Sequence, residues 1–230
     1  MTYNTELFDN YGRTIRPVLF NTAKDGSGTW YYALLDSDGH LQVDALSAVI
    51  SAGTSRIGQV SGTLVEVRTA QVIDASLGAY AAGDVVGADD CCTTLAVTWD
   101  FAVARVAGGY GYIVAAALIN ETENQAVQYD LLLFNATPTG ELRDNAANTN
   151  PLKEDRSKYI GKIAFPYSVA KGATVATYTQ ATPSDPNSGL PMAFKCAAGS
   201  TTIKGVLVTN TVYTQTATDD IEIALLVEQY

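Results

Sequence analysis

The stretch "YDLLLFNATPTGELRDNAANTNPLKEDRSKYIGKI", Tyr129–Ile163, decides how this chain is read. Its first six residues form an apolar run of strand length, and its last five, "YIGKI", form another. Between them lies a long polar segment carrying Asp144, Asn145, Asn148, Glu154, Asp155, Arg156 and Lys158. Asp144-Asn145 is a pair that Asx-type turns favour. Further on, Asn150 suits a helix N-cap, Pro151 the first helical turn, and Glu154 the positive end of the dipole. Lys158 follows Glu154 at i+4, a favourable surface pairing. The stretch therefore predicts a core strand, a solvated excursion with one capped helical turn over "NPLKEDRSKY", and a returning strand.

The same rhythm of short alternating runs and turn clusters extends on both sides. "GTLVEVRTAQVI", "AYAAGDVVGA", "TLAVTWDFAVARVAGGYGYIVAAALIN", "ATVATYT", "LPMAFKC", "IKGVLVTNTVY" and "IEIALLVEQ" all read as strands. The third breaks at Gly108-Gly109. In the last, Ile221, Ile223, Leu225 and Val227 share one face, as a two-residue period requires. Turn-length spacing predicts that consecutive strands are antiparallel neighbours. Ahead of this series, residues 1–29 read as a polar extended arm. "WYYALLDSDGHLQVDAL" reads as a hairpin turning at Asp36-Ser37-Asp38-Gly39, and "AVISAGTSRIGQV" as a linker. The expected architecture is all-β: an antiparallel β-sandwich, jelly-roll-like, over 55–230, preceded by an N-terminal arm and hairpin over 1–54.

Charge limits the partners. Lys+Arg 14 against Asp+Glu 24 leaves −10, a field that repels phosphate backbones and anionic membrane surfaces, so neither nucleic acid nor membrane is expected. The opening "MTYNTELFDNYGRTIRP" has no basic n-region or apolar core, and Cys91, Cys92 and Cys196 are an odd set for a disulfide framework. Synthesis in a reducing cytoplasm is the expectation.

Candidate chemistry thins out under inspection. The single histidine, His40, sits at the hairpin turn, a poor place for an oriented catalytic base. "DSDGH" begins like a calcium loop but lacks the spaced third acid and the closing Glu. "GGYGY" has no third glycine and no following helix, so it is read as a turn presenting Tyr110 and Tyr112 rather than a dinucleotide loop. Asn120 and Asn135 open acceptor triplets for glycosylation that carry no weight without a secretory signal. Vicinal Cys91-Cys92 are read as small residues beside a strand. Asp144 and Asp155 could in principle work as acid and base, but the capping and turn pattern accounts for them as solvated surface groups. No catalytic residue, metal site or cofactor is expected.

Three segments, "YAAGDVVG", "RVAGGYGYIVAAALINETENQAVQYDLLLFNATPTGELRDNAANTN" and "GVLVTNTVYTQTATDDIEIALLVEQ", together with "KYIGKI", carry a resemblance. Over about residues 75–230 the chain resembles β-sandwich virion proteins of tailed bacteriophages, of the head decoration or capsid cement type. "DSDGHLQVDAL" is similar to the openings of other phage structural proteins, while Cys91-Cys92 departs from the group. The resemblance implies a non-enzymatic protein on the capsid surface, made in the bacterial host cytoplasm. It would bind the outer surface of the major capsid protein shell and stabilise it, as a homo-oligomer on the lattice. A tail, baseplate or receptor- or glycan-binding module, using loops at Tyr110, Tyr112 and Tyr213, is the alternative. The expected contact residues are Tyr3, Leu7, Phe8 and Tyr11 in the arm and Trp30, Tyr31 and Tyr32 in the hairpin, aromatic and apolar anchors in a polar setting.

Overall fold

A computed structural model describes residues 63–88, 97–123, 125–170, 172 and 176–230 in full, and within 1–62 the backbone of four short strands. The chain divides into two compact units, Met1–Ile57 and Gly58–Tyr230. In the first, β1 (Leu7–Phe8) pairs antiparallel with β2 (Thr14–Ile15), and β3 (Leu19–Asn21) with β4 (Trp30–Tyr32). The expected turn at Asp36–Gly39, the hairpin flank beyond it with His40, and the linker over 48–60 lie outside the described residues, as do Cys91 and Cys92.

The second unit holds β5 (Thr63–Ile73), β6 (Ala79–Tyr80), β7 (Val85–Val86), β8 (Trp99–Phe101), β9 (Tyr110–Glu123), β10 (Tyr129–Phe134), β11 (Tyr159–Ala164), β12 (Val169–Ala170), β13 (Ala176–Ala181), β14 (Met192–Lys195), β15 (Ile203–Thr209), β16 (Tyr213–Thr214) and β17 (Asp219–Gln229). Six strands form a long sheet ordered β12-β13-β9-β17-β5, with β14 continuing along the β13 side of β9. Five form a short sheet ordered β11-β10-β15-β7, with β8 beside β7 on the same margin of β15. Taking β7 with β8, and β13 with β14, as single broken strands, the main strands count one to eight. The sheets then read 1-8-3-6 and 2-7-4-5, the double Greek key of a jelly roll. The expected sandwich is this fold. The expectation that consecutive strands pair holds in this unit for β10–β11 and β12–β13; elsewhere the chain crosses between sheets.

The core between the sheets is built by alternation. Ile221, Ile223, Leu225 and Val227 of β17 are wholly buried against Trp99, Phe101, Leu131, Leu133, Ile163 and Leu207 of the short sheet. Gly111 permits a close approach: a Cβ there would run into the Glu228 carbonyl oxygen and the Phe194 ring. In β10 alternation fails, because Leu132 and Phe134, which point away from that core, are buried too. They join Val85, Leu142, Val206 and Val208 in a second apolar cluster on the outside of the short sheet, with Tyr159 packed against it.

Leu142 belongs to the excursion 135–158, so this polar segment is a cover with its own small core, and the expectation of a solvated loop is corrected. The physical reason lies beneath it: a strand apolar on both faces must be covered on both. The helical turn is corrected as well. It is a 3-10 helix, Lys153–Ser157, whose N-cap position is Leu152 with no side-chain cap. The Asn150 amide instead donates to the Glu141 carbonyl oxygen, and Lys158 pairs with Asp155 rather than Glu154.

Candidate functional site

The outer face of the long sheet has no such cover among the described residues of its own unit. Its composition is set by β9, "YGYIVAAALINETE". Strict alternation would put Tyr110 and Tyr112 on the side of Ala116 and Leu118, which are buried. A bulge prevents this: Leu226 pairs with Ala115 but Val227 with Ile113, leaving Val114 as the extra residue. A bulge re-aims the side chains on either side of it. Tyr110 and Tyr112 therefore face outward together with Ala115, Ala117 and Ile119. They stand on a strand, not in a turn, which corrects the reading of "GGYGY".

Three tyrosines mark one end of this face. The Tyr110 and Tyr230 rings stack at 6.1 Å, and Tyr112 meets Tyr230 edge-on at 6.2 Å. The Tyr230 hydroxyl donates to Glu228 Oε1 at 2.7 Å, and that bond raises its pKa above the ordinary phenol value. In the middle, Ala115, Ala117 and Ala224 floor a shallow depression of about 180 Å³, rimmed by Glu66, Gln180 and Leu226. At the other end Ile119 pairs with Tyr178, which pairs with Val169, and all three are exposed. Charge is carried by β5 and β17: Arg68 bridges Glu66 and Glu222, the latter beside Ile119, and Glu228 stands beside Tyr112. A small alanine floor and aromatic ends, with Arg68 offsetting part of the carboxylate charge, describe a surface with features of partner-binding patches.

Asp144 and Asp155 of the excursion are buried, against expectation, but for structural reasons. Asp144 accepts from the Tyr80 hydroxyl at 2.8 and 2.9 Å, from Gly87 N at 3.1 Å and from Asn145 N at 3.0 Å. Asp155 accepts from Thr139 N and Oγ1 and from Lys158 Nζ, each at 2.9 Å. Burial pushes the Asp155 carboxyl up, yet Lys158 and Thr139 outweigh it and hold it below the ordinary carboxylate value. Tyr80 stacks on Tyr213 at 4.7 Å, and Tyr129 meets Tyr213 edge-on at 6.1 Å. Burial pushes the Tyr129 hydroxyl up to about 12. Tyr213 is thus a buried core residue, which corrects its assignment to a contact loop. Asn120, first residue of one glycosylation triplet, is also fully buried.

Of the expected contact residues, Leu7 and Phe8 lie in β1 and Trp30, Tyr31 and Tyr32 in β4, in two separate ladders of the first unit. Tyr3 and Tyr11 lie outside the described residues. The open face of the long sheet was missed as a unit. Its one signal in the sequence was "AAA" inside a strand otherwise rich in large residues. Among the described residues no cluster of three or more His, Cys, Asp or Glu could hold a metal ion, and the Cys196 thiol is buried and free. No protein-family model matches the chain, and no curated protein matches its sequence.

Proposed function

We propose that this chain is a phage capsid decoration, or cement, protein that binds the outer surface of the major capsid protein shell and stabilises it without catalysing a reaction. The observation that carries the reading is the asymmetry of the jelly roll. One outer face is sealed by the chain's own excursion, while the other, alanine-floored with tyrosines at its ends, is covered by no described residue of its own unit. Jelly rolls recur in viral capsid and lectin domains, and a module of this shape suits a repeating surface where modest contacts multiply by symmetry. The resemblance over 75–230 points the same way, and a net charge of −10 suits a position away from packaged DNA. Fold alone does not assign function, so the reading rests on the combination. In it, Tyr3, Leu7, Phe8, Tyr11, Trp30, Tyr31 and Tyr32 of the first unit supply anchors to the shell.

The test is co-sedimentation of the full-length protein with undecorated shells. Wild type is expected to saturate the shells at many copies per particle and raise their disruption temperature. The triple variant Trp30→Ala, Tyr31→Ala, Tyr32→Ala is expected to lose binding while keeping its far-UV spectrum. Wild type that ignores shells, or labels only a tail or a single vertex, overturns the reading. The latter result would favour a receptor- or glycan-binding tail module, for which the Tyr110–Tyr112–Tyr230 cluster is a suitable stacking platform.

A further inference from the structure

The long sheet ends on β5, and among the described residues β5 pairs with β17 alone. Its other edge, over Leu64–Ala70, presents strand backbone that no described strand pairs with. Such edges recruit strands unless they are blunted. The usual blunting devices are proline, lysine, a bulge or shortness; β5 is eleven residues long, and its eleven paired positions run without a register shift. It is also held rigid: Thr69 Oγ1 donates to the Asp100 carbonyl oxygen at 2.6 Å and Gln71 Nε2 to the Thr98 carbonyl oxygen at 3.1 Å, both on the inner side.

From this edge we infer that β5 is a self-pairing strand, joining antiparallel across a two-fold axis to β5 of a second copy so that the two long sheets become one. The outward row Leu64, Glu66, Arg68 and Ala70 specifies the partner. In a two-fold antiparallel pair, opposed side chains must share a face, so the axis passes through a residue. Centred on Val67, the pairing sets Glu66 opposite Arg68 of the second copy, twice, and Leu64 opposite Ala70, twice. Slipping the axis to Glu66 opposes two glutamates, and slipping it to Arg68 opposes two arginines. Opposite charges directly across strands attract and like charges repel, so the charge pattern selects one register and one partner, another copy of itself. Arg68 and Glu66 are both about half exposed, free enough to bridge outward as well as to each other. The two open faces would become one continuous surface, which doubles the contacts one assembly can make. The inference stands apart from the capsid reading, since it concerns the free protein.

Sedimentation equilibrium of the full-length chain tests it. Wild type is expected to dimerise, with salt weakening the dimer. Glu66→Arg and Arg68→Glu are each expected to raise the dimer Kd by about tenfold or more, since each converts two attractive pairs into two repulsive ones. An equimolar mixture of the two variants is expected to recover wild-type affinity as a heterodimer, and so is the double swap Glu66→Arg, Arg68→Glu. Should either reversal fail to fold, Arg68→Gln replaces it, with the same direction expected at smaller size. Hydrogen exchange should show amides of Leu64–Arg68 gaining protection as concentration rises. A monomeric wild type, an assembly indifferent to both reversals, or variants that do not rescue each other would overturn the inference.

Discussion

The two outer faces of this jelly roll are built from the same kind of strand and treated in opposite ways. Outside the short sheet, Leu132, Phe134, Val206 and Val208 are large, and residues 135–158 fold back to bury them under Leu142. Outside the long sheet, the centre is alanine, the ends are tyrosine, and no described residue of the same unit folds over them. Large aliphatic side chains left in water invite aggregation, so the first face had to be closed within the chain. The second can stay open because its floor is small and its aromatic ends carry polar tips. What distinguishes the closed face from the open one here is side-chain size more than hydrophobicity.

Substitutions on the closed face should be the most damaging. Phe134→Ala empties a fully buried site beside Tyr159 and is expected to cost roughly 3 to 5 kcal/mol of stability, read as a lower midpoint in urea unfolding. Asp144→Ala would strand the buried Tyr80 hydroxyl and the Gly87 amide, costing about 2 kcal/mol. If the excursion were only a solvated loop, both would be nearly silent, and the contrast between the faces would fail.

Acid should loosen the same cover. Hydrogen bonds from the Arg143 side chain and backbone pull Glu141 down to about 2, and Asp155 is also held below its ordinary value. A carboxyl lowered by folding stabilises the native state above its unfolded pKa, and that contribution fades as pH falls through the native one. The unfolding midpoint is therefore expected to drop progressively below pH about 4, with Glu141→Gln flattening the profile.

On the open face the pattern reverses. Ala117→Arg is expected to leave stability within about 0.5 kcal/mol of wild type while impairing attachment to shells. Tyr112→Ala should do the same more weakly. A large stability loss at Ala117 would show that this face is part of the fold's own core and would end its candidacy.

Much of this was legible in the residues. The period-2 run of β17 set Ile221, Ile223, Leu225 and Val227 on one face, which is the buried one, and the break at Gly108-Gly109 separates β8 from β9. The apolar runs "LLLF" and "VLV" also carried a message that alternation alone does not read: strands without a polar face are covered twice. Given that, the lone Leu142 in a polar segment is the natural lid residue.

Local sequence determined that the chain is all-β and which side chains of an isolated strand share a face, because those follow from a backbone period and from turn chemistry. Tertiary structure alone decided that strand eight inserts between strands one and three, and that the Val114 bulge sends Tyr110 and Tyr112 outward. It also decided that Asp144 and Asp155 are sealed inside hydrogen-bond cages. Strand order and burial depend on contacts between residues as distant as Tyr80 and Asp144, or Arg68 and Glu222, and no local period encodes such pairings.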